Sequence, residues 1–168
     1  MIAKRIALKN WRNFRALDVP LRETTYLIGP NAVGKSNLLD AFRFLRDVCK
    51  PKGGGLQAAV ENRDGLSSLR CLHARRDPGI EIEIDLAVNA DAPYSWRYIL
   101  GFSSDPDTKK RALITKEEVW REGGRDPILL RPSDPDRGDA ELLTQSHLEQ
   151  IQTNREFREL AAFLSQTT

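Results

Sequence analysis

The sequence has few cysteines and few aromatic residues, and it lacks any long apolar run. Two cysteines, Cys49 and Cys71, stand among 168 residues; this is too few for a disulfide framework and typical of reduced thiols in a cytosolic protein. His73 lies two residues from Cys71, but no second ligand pair accompanies them, so no metal site is expected there. No stretch approaches the roughly 20 apolar residues of a membrane span, and no signal-peptide pattern opens the chain. We therefore expect a cytoplasmic location and no membrane partner.

The sequence also lacks a strong excess of positive or negative charge. The chain has 26 basic and 24 acidic residues, for a net charge of +2, so charge balance alone is no argument for nucleic-acid binding. Short basic runs occur at 73–76 (HARR) and 109–113 (KKRAL). Direct DNA binding through them is one hypothesis, and solvated turns are the alternative. The composition, 40% apolar and 30% charged, suits one soluble domain.

The side-chain pattern predicts strands, then a helix, then further strands. Strands are predicted at 2–11, 15–21, 24–29, 80–88, 94–102, 111–122 and 127–132. The segment 24–29 (TTYLIG) has the character of a buried strand that feeds a loop. From Lys35 the apolar residues recur at helical spacing, so a helix should run from there to the glycine-rich segment 50–55. A last helix is predicted within 153–164, with Thr153 and Glu156 as a capping box, whereas the polar segment 132–141 is expected to be turn-rich and mobile.

One motif carries recognisable chemistry. Residues 29–36 (GPNAVGKS) satisfy the phosphate-loop pattern G-x-x-x-x-G-K-[ST] between a predicted strand and a predicted helix. Glycines let the backbone turn its N–H groups toward phosphate oxygens, and the helix N-terminus adds positive charge. Lys35 would reach the β and γ phosphates, and the Ser36 hydroxyl would ligate Mg²⁺. The predicted nucleotide-binding residues are Gly29, Pro30, Asn31, Ala32, Val33, Gly34, Lys35, Ser36 and Asn37.

The residues around this loop resemble a known family. The stretches 6–21 (IALKNWRNFRALDVPL) and 26–45 (YLIGPNAVGKSNLLDAFRFL) resemble the N-terminal lobe of RecF/SMC-like ATPases, which include OLD-type and related AAA ATPases of DNA repair and phage defence. The resemblance implies an α/β P-loop NTPase fold, with the first lobe of an ABC-type ATPase head and an antiparallel β-subdomain. It implies ATP and Mg²⁺ as cofactors. It also implies a homodimer or a second-lobe polypeptide as partner, and DNA as a ligand of the complete assembly.

The resemblance assigns roles to two further residues. Arg12 matches the family's arginine near the bound nucleotide, and Trp11 stands where the family usually has phenylalanine. Gln145 is the candidate for the glutamine that senses Mg²⁺ and the γ-phosphate, although a plain surface glutamine is the alternative. The competing glutamines are Gln57, Gln150 and Gln152.

Several groups that this family uses for hydrolysis are missing from the sequence. No apolar run is followed by Asp-Glu, no segment resembles L-S-G-G, and neither histidine lies late enough to act as a switch. We therefore expect one incomplete ATPase domain over 1–168, which binds ATP but does not hydrolyse it alone. Its parts are the strands, phosphate loop and first helix at 1–50, the β-subdomain at 66–131 and the start of a helical subdomain at 140–168. The alternative is a non-catalytic interaction module with a relic nucleotide site.

Overall fold

The computed structural model describes residues 1–72, 79–108 and 110–167. Within these ranges six strands form one antiparallel sheet in the order β2-β1-β3-β4-β5-β6. The strands are β1 (Ile2–Trp11), β2 (Phe14–Pro20), β3 (Ile80–Ala87), β4 (Trp96–Ser104), β5 (Ala112–Arg121) and β6 (Leu129–Arg131). The helices are α1 (Lys35–Cys49), α2 (Leu56–Glu61), α3 (Leu66–Leu69), α4 (Asp134–Gly138) and α5 (Arg158–Ser165), with short 3-10 turns at Ala140–Thr144 and Arg155–Phe157.

The predicted hairpin of β3 and β4 is confirmed, with Ile80 opposite Phe102. Because side chains alternate along a strand, the isoleucines of β3 point into the core while the intervening acidic residues point away from it. On that outer face Arg97 Nε lies 2.6 Å from Asp85 Oδ1. The sheet therefore has one face covered by helices and one face covered by ion pairs.

The long helix α1 lies against the apolar face of the sheet, as the helical spacing predicts. Phe44 is fully buried; its ring stacks on Phe102 of β4 and meets Trp11 of β1 edge-on, with both pairs of ring centroids 5.2 Å apart. Helix α5 packs beside α1 in the same core. Among the described residues, no helix has the length and apolarity that crossing a membrane requires.

The predicted strand at 24–29 is wrong for this structure. The segment has no strand assignment, and Tyr26 and Ile28 are 81% and 93% exposed. An apolar run becomes a strand only when a neighbour accepts its backbone hydrogen bonds. None of the described strands lies beside the segment 24–29.

Two predictions near the C-terminal part also differ from the structure. The segment 132–141 contains α4, whose start is held by Ser133 N donating to Asp136 Oδ2 at 2.7 Å. Thr153 and Glu156 do not cap a helix, because α5 begins only at Arg158. Instead, the Thr153 hydroxyl donates to backbone carbonyls in the preceding turn. In both cases local hydrogen bonds between side chains and backbone fix these segments.

Candidate functional site

The predicted phosphate loop leads directly into the N-terminus of α1. Gly34 is the N-cap of the helix, with φ +109°, and the first helical hydrogen bond runs from Leu38 N to the Gly34 carbonyl. Lys35 Nζ donates to the carbonyls of Gly29 and Pro30, at 2.7 Å each. The lysine therefore already lies against the loop whose ligand it is predicted to bind. Ser36 is exposed at the same helix end.

The turn between β1 and β2 holds this loop in place. Asn13 Nδ2 donates to the Val33 carbonyl at 3.2 Å, and Asn37 Nδ2 donates to Asn13 Oδ1 at 2.8 Å. The buried Trp11 donates its indole N–H to the Asn37 carbonyl at 2.8 Å. Phenylalanine, the usual family residue at position 11, could not make that bond, so the departure from the family pattern adds an anchor here.

Close packing explains why the residue before Lys35 is glycine. A Cβ at Gly34 would lie 2.5 Å from Asn13 Nδ2 and 2.7 Å from Phe14 Cζ. Its positive φ is also a conformation that L-residues rarely adopt. Ala32 takes a positive φ of 65° within the same loop. Non-glycine residues with such backbones concentrate at ligand-binding sites.

Arg12, the predicted nucleotide contact, forms an ion pair with α1. Its Nε and Nη2 donate to Asp40 Oδ2 at 2.9 and 2.7 Å. Arg12 itself has φ +50°, and its backbone N–H donates to the Leu69 carbonyl at 2.6 Å. Sequence reasoning missed Asp40 and Asn13. No sequence motif links Asp40 to Arg12 or Asn13 to Val33, so only the fold could reveal these contacts.

A cavity of about 420 Å³ adjoins the loop. Its lining includes Asn37, which follows the loop in sequence, and Asn13, which donates to the Val33 carbonyl of the loop. It is lined by Arg12, Asn13, Asn37, Ser67, Ser68, Arg70, Cys71 and Leu72. Hydrogen-bonding amides, hydroxyls and guanidinium groups in one concave site are the features of a ligand pocket.

The structure does not bring Gln145 together with the loop. The neighbouring Ser146 N donates to Glu149, which lies beside the Gly55–Leu56 backbone, and Gly55 N donates to the Asp47 carbonyl near the end of α1. Helix α1 has 15 residues, so its two ends are about 22 Å apart. Gln145 therefore lies toward the opposite end of α1 from Lys35.

The competing glutamines have local contacts. Gln57 Nε2 donates to the carbonyls of Ala112 and Thr144, at 2.9 and 2.7 Å. Gln150 Nε2 donates to Gln145 Oε1 at 2.9 Å, and Gln152 is exposed. No described contact joins any of them to the loop.

The other candidate groups bind neighbours or lie outside the described residues. The run 73–76 and His73 lie outside the described ranges, as does Lys109. Arg111 pairs with Asp105 and Glu141, at 2.6 and 2.7 Å, so its charge is already neutralised. Among the described residues no group of three or more His, Cys, Asp or Glu side chains could hold a metal ion.

Comparison with known families agrees with this geometry. The profile of the "P-loop containing region of AAA domain" matches residues 3–45, which contain β1, β2, the loop and most of α1. The molecule is thus an α/β protein of the P-loop NTPase class. A second profile matches residues 25–167 and is described as "AAA domain, putative AbiEii toxin, Type IV TA system". The chain belongs to this AAA-domain family.

Curated relatives confirm the predicted likeness to RecF. The chain is 30% identical over 90 residues to the DNA replication and repair protein RecF of Agathobacter rectalis, a match that covers 53% of this chain and 25% of that protein. It is 32% identical over 88 residues to RecF of Clavibacter sepedonicus, covering 51% and 22%. The chain thus spans a quarter or less of these relatives.

A solved structure of SMC ATPases is also similar. That structure was determined in work on the structural biochemistry of ATP-driven dimerization and DNA-stimulated activation of SMC ATPases. It matches with a TM-score of 0.46 at 19% identity, covering 74% of this chain and 71% of the other.

Proposed function

We propose that this chain binds ATP with Mg²⁺ through the loop 29–36, as one lobe of a RecF-like ATPase. The observation that carries the proposal is the loop itself: a P-loop sequence enters the N-terminus of α1 through Gly34, with Lys35 lying against the loop carbonyls. Backbone N–H groups and the helix dipole at such a terminus favour phosphate. A phosphate oxygen would accept from Lys35 in place of these carbonyls, because the charged acceptor makes the stronger bond.

The remaining parts of the nucleotide would use the neighbouring groups. Ser36, exposed beside Lys35, would supply a hydroxyl ligand to Mg²⁺, which neutralises charge on the β and γ phosphates. The cavity lined by Arg12 and Arg70 would accept the rest of the nucleotide, with a guanidinium group facing phosphate oxygens. Specificity for ATP over GTP is part of the proposal and is supported by the family likeness.

We propose that hydrolysis is completed by a second lobe, on the same or another polypeptide. The sequence offers no acidic pair after an apolar strand to support Mg²⁺ and orient water. The segment 24–29 supports this view, because its Tyr26 and Ile28 side chains are exposed where the pattern predicts a buried strand. A strand from a second lobe beside it would bury both side chains and satisfy the backbone between them.

Under this proposal residues 1–168 are part of one incomplete ATPase domain, and the complete ATPase acts in DNA repair, DNA maintenance or phage defence. The curated relatives are named DNA replication and repair proteins, which supports a DNA-connected role; a cytoplasmic location is part of the proposal. The competing candidate is an interaction module with a relic loop. Light scattering separates the two: ATP-dependent dimerisation supports the ATPase lobe, whereas assembly that ignores nucleotide supports the module.

Equilibrium dialysis with radiolabelled ATP tests the proposal most simply. Wild type should bind ATP with Mg²⁺, and chelation of Mg²⁺ or Ser36→Ala should weaken binding. The same preparation should hydrolyse ATP negligibly, because it lacks a water-orienting carboxylate. Absence of ATP binding contradicts the proposal, and robust turnover by this chain alone contradicts the role of a second lobe.

A further inference from the structure

Asp40 stands between two arginines next to the proposed nucleotide site. Its Oδ2 accepts from Arg12, at 2.9 Å from Nε and 2.7 Å from Nη2, and its Oδ1 accepts from Arg63 Nε at 3.0 Å. The Asp40 carboxylate therefore connects the turn after β1 with α1 and with the segment after α2.

The two arginines differ in what else holds them. Arg63 is 8% exposed; it also donates to Asp47 Oδ2 and to the Ala59 carbonyl, at 2.9 Å each, and it lies over the Phe44 ring. Arg63 would remain fixed without Asp40. Arg12 also lies over the Trp11 ring, with its Cζ 5.9 Å from the ring centroid, but it has no second carboxylate among the described residues. Asp40 is therefore the ionic partner that fixes the direction of its guanidinium.

The geometry leaves one edge of Arg12 for a ligand. Asp40 takes the Nε–Nη2 edge, and no described residue accepts from Nη1. Arg12 lines the cavity beside the loop together with Asn13 and Asn37. A planar guanidinium that is held on one edge presents its other donors in a defined direction, and this preorganisation lowers the entropy lost on binding an anion.

We propose that Asp40 is a positioning residue, which holds Arg12 so that its Nη1 edge faces an anionic part of the bound nucleotide. This inference rests on the proposed function, because it requires nucleotide at the loop. It makes Asp40, five residues after the loop lysine, part of the nucleotide-binding machinery without contact to the nucleotide.

A simple charge argument predicts the opposite effect. Asp40 is negative and lies near a site for a polyanion, so neutralising it should tighten nucleotide binding if charge alone counts. If positioning dominates, Asp40→Asn weakens binding, because Arg12 loses the carboxylate that fixes the direction of its guanidinium. The sign of the change therefore discriminates between the two explanations.

The experiment is a double-mutant cycle in Mg-ATP affinity, measured by calorimetric titration of wild type, Asp40→Asn, Arg12→Ala and the double variant. We expect Asp40→Asn to weaken binding about two- to twelvefold, the range for freeing one side chain at a binding site. In the Arg12→Ala background the same change should leave affinity unchanged or raise it slightly. Asp47→Asn is the matched control, since Asp47 contacts Arg63 but not Arg12, and it should change affinity less than about twofold.

Thermal unfolding of each variant verifies folding. If Asp40→Asn does not fold, Asp40→Glu serves instead, because it keeps the charge but moves the carboxylate. Positioning then predicts weaker binding, whereas charge alone predicts unchanged affinity. Tighter or unchanged binding by Asp40→Asn overturns the inference while the proposed function stands. Equal weakening with and without Arg12 also overturns it, in favour of a scaffold role. Absence of Mg-ATP binding by wild type overturns the proposed function and this inference with it.

Discussion

Replacement of Gly34 by alanine tests how the loop is held against the turn between β1 and β2. The added Cβ would lie 2.5 Å from Asn13 Nδ2 and 2.7 Å from Phe14 Cζ, well inside the 3.4–4 Å of ordinary contact. The ends of the Asn13 and Phe14 side chains must therefore move. Displacement of the Asn13 amide breaks its hydrogen bond to the Val33 carbonyl.

The expected loss has two parts. Placing alanine at a left-handed φ costs about 1 kcal/mol, and forcing a methyl group into occupied space costs about 1–3 kcal/mol. We therefore expect Gly34→Ala to lower the free energy of unfolding by about 2–4 kcal/mol. Gly123 provides the matched control, because it has φ +70° and no atom within 4 Å of the added Cβ. Gly123→Ala should thus carry only the backbone part, about 1 kcal/mol.

Urea unfolding of both variants measures these two parts separately. Asn13→Ala removes two of the three nearest atoms at Gly34, so Gly34→Ala should destabilise less in that background than in wild type. Equal losses for Gly34→Ala and Gly123→Ala would refute the claim that packing against the turn requires glycine at the loop.

Three further predictions concern the core and its charges. Trp11→Phe removes the indole bond to the Asn37 carbonyl and should lower the free energy of unfolding by about 1 kcal/mol; no change in a urea titration would show that the bond contributes nothing. Glu117→Ala removes the carboxylate 2.8 Å from Arg131 and leaves the buried Tyr98 and Ser146 hydroxyls without that acceptor. Arg131 keeps Asp136, so the loss of unfolding free energy comes from several unpaired buried donors and should be about 3–5 kcal/mol; a loss below 1 kcal/mol in the same assay would contradict the prediction. Burial opposes but does not outweigh the hydrogen bond from Arg131 that holds the pKa of Asp136 below its usual 3.8. The stability from Asp136 should thus be present above pH 3.8 and lost as pH falls further; unfolding titrations of wild type and Asp136→Asn would contradict this if their acid limbs had the same slope.

Local sequence patterns predict those parts of the fold that are determined by residues close together in the chain. Helix α1 and the β3–β4 hairpin are of this kind, since periods of 3.6 and 2 are visible in contiguous residues. The loop 29–36 is predictable for the same reason. The segment 24–29 is not, because a strand requires a neighbour, and no spacing within the segment shows whether that neighbour exists.

The contacts around the loop could not be predicted from the sequence. Arg12 and Asp40 are 28 positions apart, and Asn13 and Val33 are 20 positions apart. No periodicity connects such pairs; only the packing of the β1–β2 turn on α1 brings them together. Gln145 shows the converse. Its position along the chain suggests a contact with the nucleotide, but the fold places it toward the end of α1 that is far from the loop.

The central claim is that the loop 29–36 binds Mg-ATP through Lys35. The most direct measurement is calorimetric titration of wild type, Lys35→Ala and Lys52→Ala with Mg-ATP, with thermal unfolding as the check on folding. Lys52 is an exposed lysine in the glycine-rich segment after α1, so its variant makes the same change in net charge away from the loop. The account predicts that Lys35→Ala weakens binding at least about tenfold, the effect of losing one charge-assisted bond to phosphate, while Lys52→Ala binds like wild type. Equal affinity of all three proteins, or no binding by wild type, would contradict it.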